Sequence, residues 1–125
     1  MRILVADDDR VISHLVSSAL RQAGHTPIPA FDAMQALMFA MRAPLPDAII
    51  LDLNMPGGGG FETLKKLKSS ARTSDIPVIV LSGDSSDAAP STVKELGAAA
   101  FLSKPLVPEM MLAELERILA SHVPR

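Results

Sequence analysis

The segment Thr26-Pro27-Ile28-Pro29-Ala30, TPIPA, lies where a second strand is expected, yet it carries two prolines. Proline has no N–H to give a ladder and is confined to edge strands. Alternate residues of a strand turn their amides to the same side, so Pro27 and Pro29 can both face solvent while Ile28 bonds inward. That places strand two at an edge of the sheet; an irregular extended segment is the alternative reading.

Around it the pattern is regular. Short apolar runs rich in β-branched residues occur at Ile3–Ala6, Ala48–Leu51 and Val78–Leu81, with a shorter one at Ala99–Leu102. Segments of helical period separate or follow them: Val11–Ala23, Ala33–Arg42, Phe61–Ser70, roughly Ala88–Leu96, and Pro108–Ser121. Gly24 and Gly97 stand where helices end, and Pro108 suits a first turn. Strands alternating with helices predict a parallel sheet covered on both faces. With an edge strand two, the expected fold is a doubly wound α/β domain of (βα)5, flavodoxin-like form, strand order 2-1-3-4-5. Residues 1–125 are read as a single domain.

Composition narrows the function. The chain has 125 residues, is 48% apolar and has a formal charge of −2, so a packed core is expected and a basic nucleic-acid-binding surface is not. It contains no cysteine, which fits a reducing, cytoplasmic setting and excludes thiolate metal sites. No signal peptide and no apolar run near membrane-spanning length is present, so a natural start at Met1 and no membrane insertion are expected.

In open α/β sheets ligands bind beyond the carboxyl ends of the strands, where the order reverses. Strand one runs into Asp7-Asp8-Asp9, strand three into Asp52, strand four into Ser82, and Lys104 follows strand five. Each has an ordinary reading alone: an acidic helix start, a turn serine, a solvated lysine. Their convergence on one edge is what points to chemistry. Crowded carboxylates repel unless a cation holds them. Without cysteine or clustered histidine, a hard ion such as Mg²⁺ suits Asp7, Asp8 and Asp52. A phosphoryl group accepted on Asp52 would meet that cation, Lys104 and the Ser82 hydroxyl.

The chain resembles the receiver domain of two-component response regulators over essentially its whole length. The resemblance rests on Asp7-Asp8, on Asp52-Leu53-Asn54-Met55-Pro56 with Gly60, and on Ser82-Gly83, Gly97, Phe101 and Lys104-Pro105. The spacings agree: 44 residues from Asp8 to Asp52, 30 to Ser82, and 22 to Lys104. It implies that Asp52 is the phosphoacceptor, supplied by a histidine kinase or phosphotransfer protein. It implies Mg²⁺ held by Asp8, Asp52 and the Asn54 backbone carbonyl, with Asp7 acting mostly through water. Lys104 would contact the phosphate, and Ser82 and Phe101 would form a switch pair. The altered surface would be helix four, strand five and helix five, a face for a downstream protein or a second receiver. Such a domain assists its own phosphorylation and dephosphorylation and is otherwise no enzyme. Output would come by protein contact or through an effector domain outside this chain.

Other residues carry less. Asp9 suits the helix N-terminus. The run Gly57–Gly60 lacks the Lys-Ser/Thr of a P-loop and reads as a turn that loosens the start of helix three. Pro90 restricts helix four to a start near Asp87. About one X–Pro bond in twenty is cis, but the reversal at Lys104-Pro105 and the resemblance make cis the expected isomer there. His14, His25 and His122 are assigned to neither metal nor phosphotransfer. Met34, Met38 and Met41 are helically spaced and read as core. Two other classes compete. Asp7-x-Asp9 after a strand resembles a haloacid-dehalogenase-like phosphatase, but that leaves Asp52-Leu-Asn-Met-Pro unexplained. A receiver-like module that is never phosphorylated fits poorly with the full set of Asp, Ser and Lys residues. Acetyl phosphate with Mg²⁺ separates the three.

Overall fold

The computed structural model describes residues 1–55, 59–83 and 90–121. Five parallel strands, β1 (Arg2–Ala6), β2 (Thr26–Ala30), β3 (Ala48–Asp52), β4 (Val78–Ser82) and β5 (Ala100–Ser103), form one sheet in the order β2-β1-β3-β4-β5. Between and after them run α1 (Arg10–Gln22), α2 (Ala33–Met41), α3 (Gly59–Ser69), α4 (Pro90–Glu95) and α5 (Pro108–Ser121). This is the flavodoxin-like order expected from the strand-two prolines.

The edge is built as the prolines require. Thr26 N–H donates to the Met1 carbonyl and Ala30 accepts from Asp7 N–H, so residues 26, 28 and 30 face β1. Pro27 and Pro29 therefore face outward, and the open edge offers no N–H at either position. In the inner strands nearly every residue is buried, as a sheet covered on both faces demands. Alternate residues feed two cores. Leu4, Ile49, Leu51 and Val80 pack toward α2 and α3, and Ile3, Ile50, Ile79 and Leu81 pack toward α1 and α5.

The methionines of α2 are not core. Met34, Met38 and Met41 are among the most exposed apolar side chains. Their spacing does place them on one face, but Ala33, Ala36 and Ala40 fill the inner one. Small residues let α2 lie close to the sheet and leave no room for methionine beneath it. The C-terminus of this helix is met by Arg72 Nε, which donates to the Met41 carbonyl at 2.6 Å.

Helix ends follow local chemistry. Asp9 caps α1, its Oδ1 accepting from Val11 N–H at 2.9 Å and Ile12 N–H at 3.2 Å. Gly24 and Gly97 take the left-handed conformation at φ +89° and +101°. Helix α3 starts at Gly59, two residues earlier than expected, while Gly57 and Gly58 lie outside the described residues. Helix α4 runs from Pro90, with the proline as its first residue; the expected start near Asp87 lies outside the described residues, as does His122. The Lys104–Pro105 bond is cis as expected, and Ala43–Pro44 is cis as well.

Candidate functional site

The carboxyl ends of β3, β4 and β5 are laced together just beyond the sheet, and that of β1 is tied to β2 by Asp7 N–H, which donates to the Ala30 carbonyl. Leu53 N–H donates to the Leu81 carbonyl at 3.0 Å, and Lys104 N–H donates to the Ser82 carbonyl at 2.8 Å. Side chains on the residues at these ends converge by construction. Lys104 Nζ lies 3.4 Å from Asp52 Oδ2 and 3.5 Å from Asp7 Oδ2. Asp7 and Asp52 are both about 99% buried, at 1% exposure each, while Asp8 faces solvent.

Two local turns aim the buried pair. Asp7 Oδ1 accepts from Asp9 N–H at 2.9 Å, and Asp52 Oδ1 accepts from Asn54 N–H at 3.1 Å. Each carboxylate thus spends one oxygen on the backbone two residues ahead and turns the other toward Lys104. Asp7 Oδ2 is buried with no hydrogen-bond partner among the described residues. Burial is the main cause that raises Asp7 to about 6, and the neighbouring Asp52 carboxylate adds to it; the Asp9 N–H and Lys104 pull the other way.

Carboxylate oxygens of Asp7, Asp8 and Asp52 all come within 4.8 Å of one another. The three acids and a single lysine leave the cluster short of positive charge. An all-oxygen donor set with one orphaned, buried oxygen fits a hard divalent cation. The sequence placed Lys104 against Asp52; its equal approach to Asp7 was not foreseen.

The remaining expected residues take their places around this cluster. Ser82 is buried at the end of β4, where it pairs in register with Ser103. Asn54 is exposed, two residues past Asp52. Phe101 lies on β5 opposite Val80, half-buried against the α2–α3 core, with β4 between it and the strand of Asp52. Pro56 lies outside the described residues. Gly60 is required by contact: a Cβ there would lie 2.3 Å from Leu53 Cα, while its N–H donates to the Leu53 carbonyl at 2.9 Å. The start of α3 is thereby clamped on the loop that follows Asp52.

Residues 3–116 match the model of the response regulator receiver domain. The chain belongs to this family. It is 34% identical over 118 residues to the phosphate regulon transcriptional regulatory protein PhoB of Escherichia coli, covering 94% of this chain and 51% of that protein. It is 31% identical over 119 residues to protein PilH of Pseudomonas aeruginosa, covering 95% of this chain and 98% of that one. Among solved structures, the chemotaxis response regulator CheY4 of Vibrio cholerae superposes with a TM-score of 0.85 at 34% identity, covering 94% of this chain and 97% of that chain. The chain spans about half the length of the curated relatives it matches first. Among the described residues no helix of the receiver domain is long and apolar enough to cross a membrane.

Proposed function

We propose that this receiver domain accepts a phosphoryl group on Asp52 from a histidine kinase or phosphotransfer protein, in the cytoplasm and with Mg²⁺ bound. The observation that carries the reading is the buried meeting of Asp7, Asp52 and Lys104 at the strand-order reversal. Asp52 Oδ2 is turned away from its backbone partner toward the pocket and would form the new P–O bond as the donor's P–N bond breaks. Lys104 would shift from the carboxylates to an equatorial phosphoryl oxygen, as the charge on that oxygen is what it then compensates. The Ser82 hydroxyl would donate to another.

Asp8, Asp52 and the Asn54 carbonyl would hold the metal, with Asp7 behind them through water. Bound there, Mg²⁺ supplies positive charge beside the transferred group. Asp7 would orient that water and must be ionised to do so. The domain is read as one unit over residues 1–125, acting on its own phosphorylation state and on no other substrate.

Phosphorylation would then draw the Ser82 hydroxyl toward Asp52, and Phe101 would turn further into the space behind β4. Burying more of that ring favours the active form by at most ~1–3 kcal/mol, a shift in population. The face that changes is α4, β5 and α5, which would meet a downstream protein or a second receiver. A groove of about 290 Å³ lined by Phe101, Leu102, Pro105 and Met110 lies on it, and Met110 is 61% exposed. Such a face suits an apolar partner segment.

Intact-mass measurement after incubation with acetyl phosphate tests the proposal. The wild type with Mg²⁺ should gain one alkali-labile phosphoryl group, and Asp52→Asn should gain none. Steady release of phosphate with no accumulated adduct would indicate a phosphatase instead.

A further inference from the structure

Between α1 and the outward edge of β2 lies a cleft of about 240 Å³ that the phosphorylation site does not use. It is lined by Arg10, Ser13, His14, Ser17 and Arg21 from α1, and by Pro29 and Phe31. No acidic residue is among those described as lining it. Arg10 and Arg21 stand three helical turns apart on this face, with the serines between them.

Two observations mark the cleft as more than a basic surface. Ser13 and Ser17 are only 3% and 5% exposed, yet neither hydroxyl makes a hydrogen bond among the described residues. Ser69 and Ser121 do otherwise, donating to the Lys65 and Ile118 carbonyls. The two hydroxyl oxygens are not sealed off, for among the described residues neither is a fully buried polar atom without a partner; each opens onto the cleft as a donor that a ligand with acceptor oxygens can use. In addition, the Arg10 guanidinium sits 4.0 Å from the centroid of Phe31, which holds one cation in place at the mouth.

A peptide adding to the sheet edge is disfavoured, because Pro27 and Pro29 leave that edge without N–H groups. What the lining offers is a row of donors: two guanidinium groups, two hydroxyls and an imidazole. A tetrahedral oxyanion has enough acceptor oxygens to engage several at once, and guanidinium groups bind it bidentately. We propose that the α1–β2 cleft binds a small phosphorylated anion, independently of phosphorylation at Asp52. Arg10 and Arg21 are its anchors, and the recessed Ser13 and Ser17 hydroxyls its further donors.

The test is a titration of metal-free protein with inorganic pyrophosphate at constant ionic strength, read by ¹H–¹⁵N correlation spectra. Without metal, the acidic cluster repels the probe, so the two sites are read apart. Saturable shifts are expected at Ser13, Ser17, Arg21 and Phe31. Arg21→Ala should weaken binding roughly tenfold, and Ser17→Ala by a smaller factor in the same direction. Both variants should still accept phosphate from acetyl phosphate with Mg²⁺. Shifts that never saturate, or that spread equally to Lys65, Lys66 and Arg117, would overturn the proposal. So would binding that neither variant weakens. Acetate saturating the cleft as tightly as pyrophosphate would overturn the assignment to a phosphorylated ligand.

Discussion

Lys104 Nζ stands 3.4 Å from Asp52 Oδ2, across the gap between β5 and β3. The lysine is 17% exposed and the aspartate is buried, so the pair is screened far less than a surface one. In the phosphorylated domain the same ammonium would face a phosphoryl oxygen. Lys104→Met should therefore lower the rate of phosphorylation by acetyl phosphate by about a hundredfold, the scale found when one oxyanion donor is lost. Magnesium binding should survive the change. A rate within a few-fold of wild type would remove Lys104 from the reaction.

Metal binding is read most simply through stability. Millimolar Mg²⁺ should raise the melting temperature of the wild type by linkage, since the assembled cluster of Asp7, Asp8 and Asp52 exists only in the folded chain. Asp8→Ala should abolish that rise. The variant should also melt at or above the wild type without metal, because one of three crowded carboxylates is gone. A Mg²⁺ response that persists in Asp8→Ala would contradict the assignment.

The raised Asp7 gives a pH dependence of definite sign in metal-free protein. Its carboxyl is lifted from 3.8 to about 6, chiefly by burial. The folded chain then holds this proton more tightly than the unfolded chain. The stabilisation is complete below the unfolded value and is lost as pH rises through about 6. Its scale is of order 1–3 kcal/mol. Urea denaturation of wild type and Asp7→Asn on either side of that pH should show the variant gaining relative stability on the alkaline side. A constant difference across the range would mean Asp7 does not titrate there.

The proposed switch has its own signature. Beryllofluoride with Mg²⁺, standing in for the phosphoryl group, should shift the backbone resonances of Ser82, Phe101 and α4 as well as those around Asp52. Pro90 limits how far the helix it begins can reorganise, so the response is expected to concentrate in the segment 83–90, of which residues 84–89 lie outside the described structure. Changes restricted to the neighbours of Asp52, with Phe101 silent, would rule the Ser82–Phe101 coupling out.

Much of the framework was legible because it depends on backbone chemistry that single residues disclose. Pro27 and Pro29 reveal an edge strand, since a missing N–H has only one tolerable side. Asp7, Asp52, Ser82 and Lys104 follow apolar runs directly, so strand periodicity alone carries them to one edge. The methionines of α2 show the limit of the same reasoning. A helical period says that Met34, Met38 and Met41 share a face, but which face is inward depends on how closely the helix approaches the sheet. Ala33, Ala36 and Ala40 decide that here. The approach of Lys104 to Asp7, the clash awaiting any Cβ at Gly60, and the unpartnered Ser13 and Ser17 are matters of ångströms between distant segments. No local pattern encodes them.

The central claim is that Asp52 itself carries the phosphoryl group. Borohydride reduces an aspartyl phosphate to homoserine and so marks the modified residue permanently. After acetyl phosphate, Mg²⁺ and borohydride, peptide mapping should find homoserine at position 52 and at no other acid. Homoserine at position 7 or 9, or its absence from position 52 in protein that has taken up phosphate, would contradict the account.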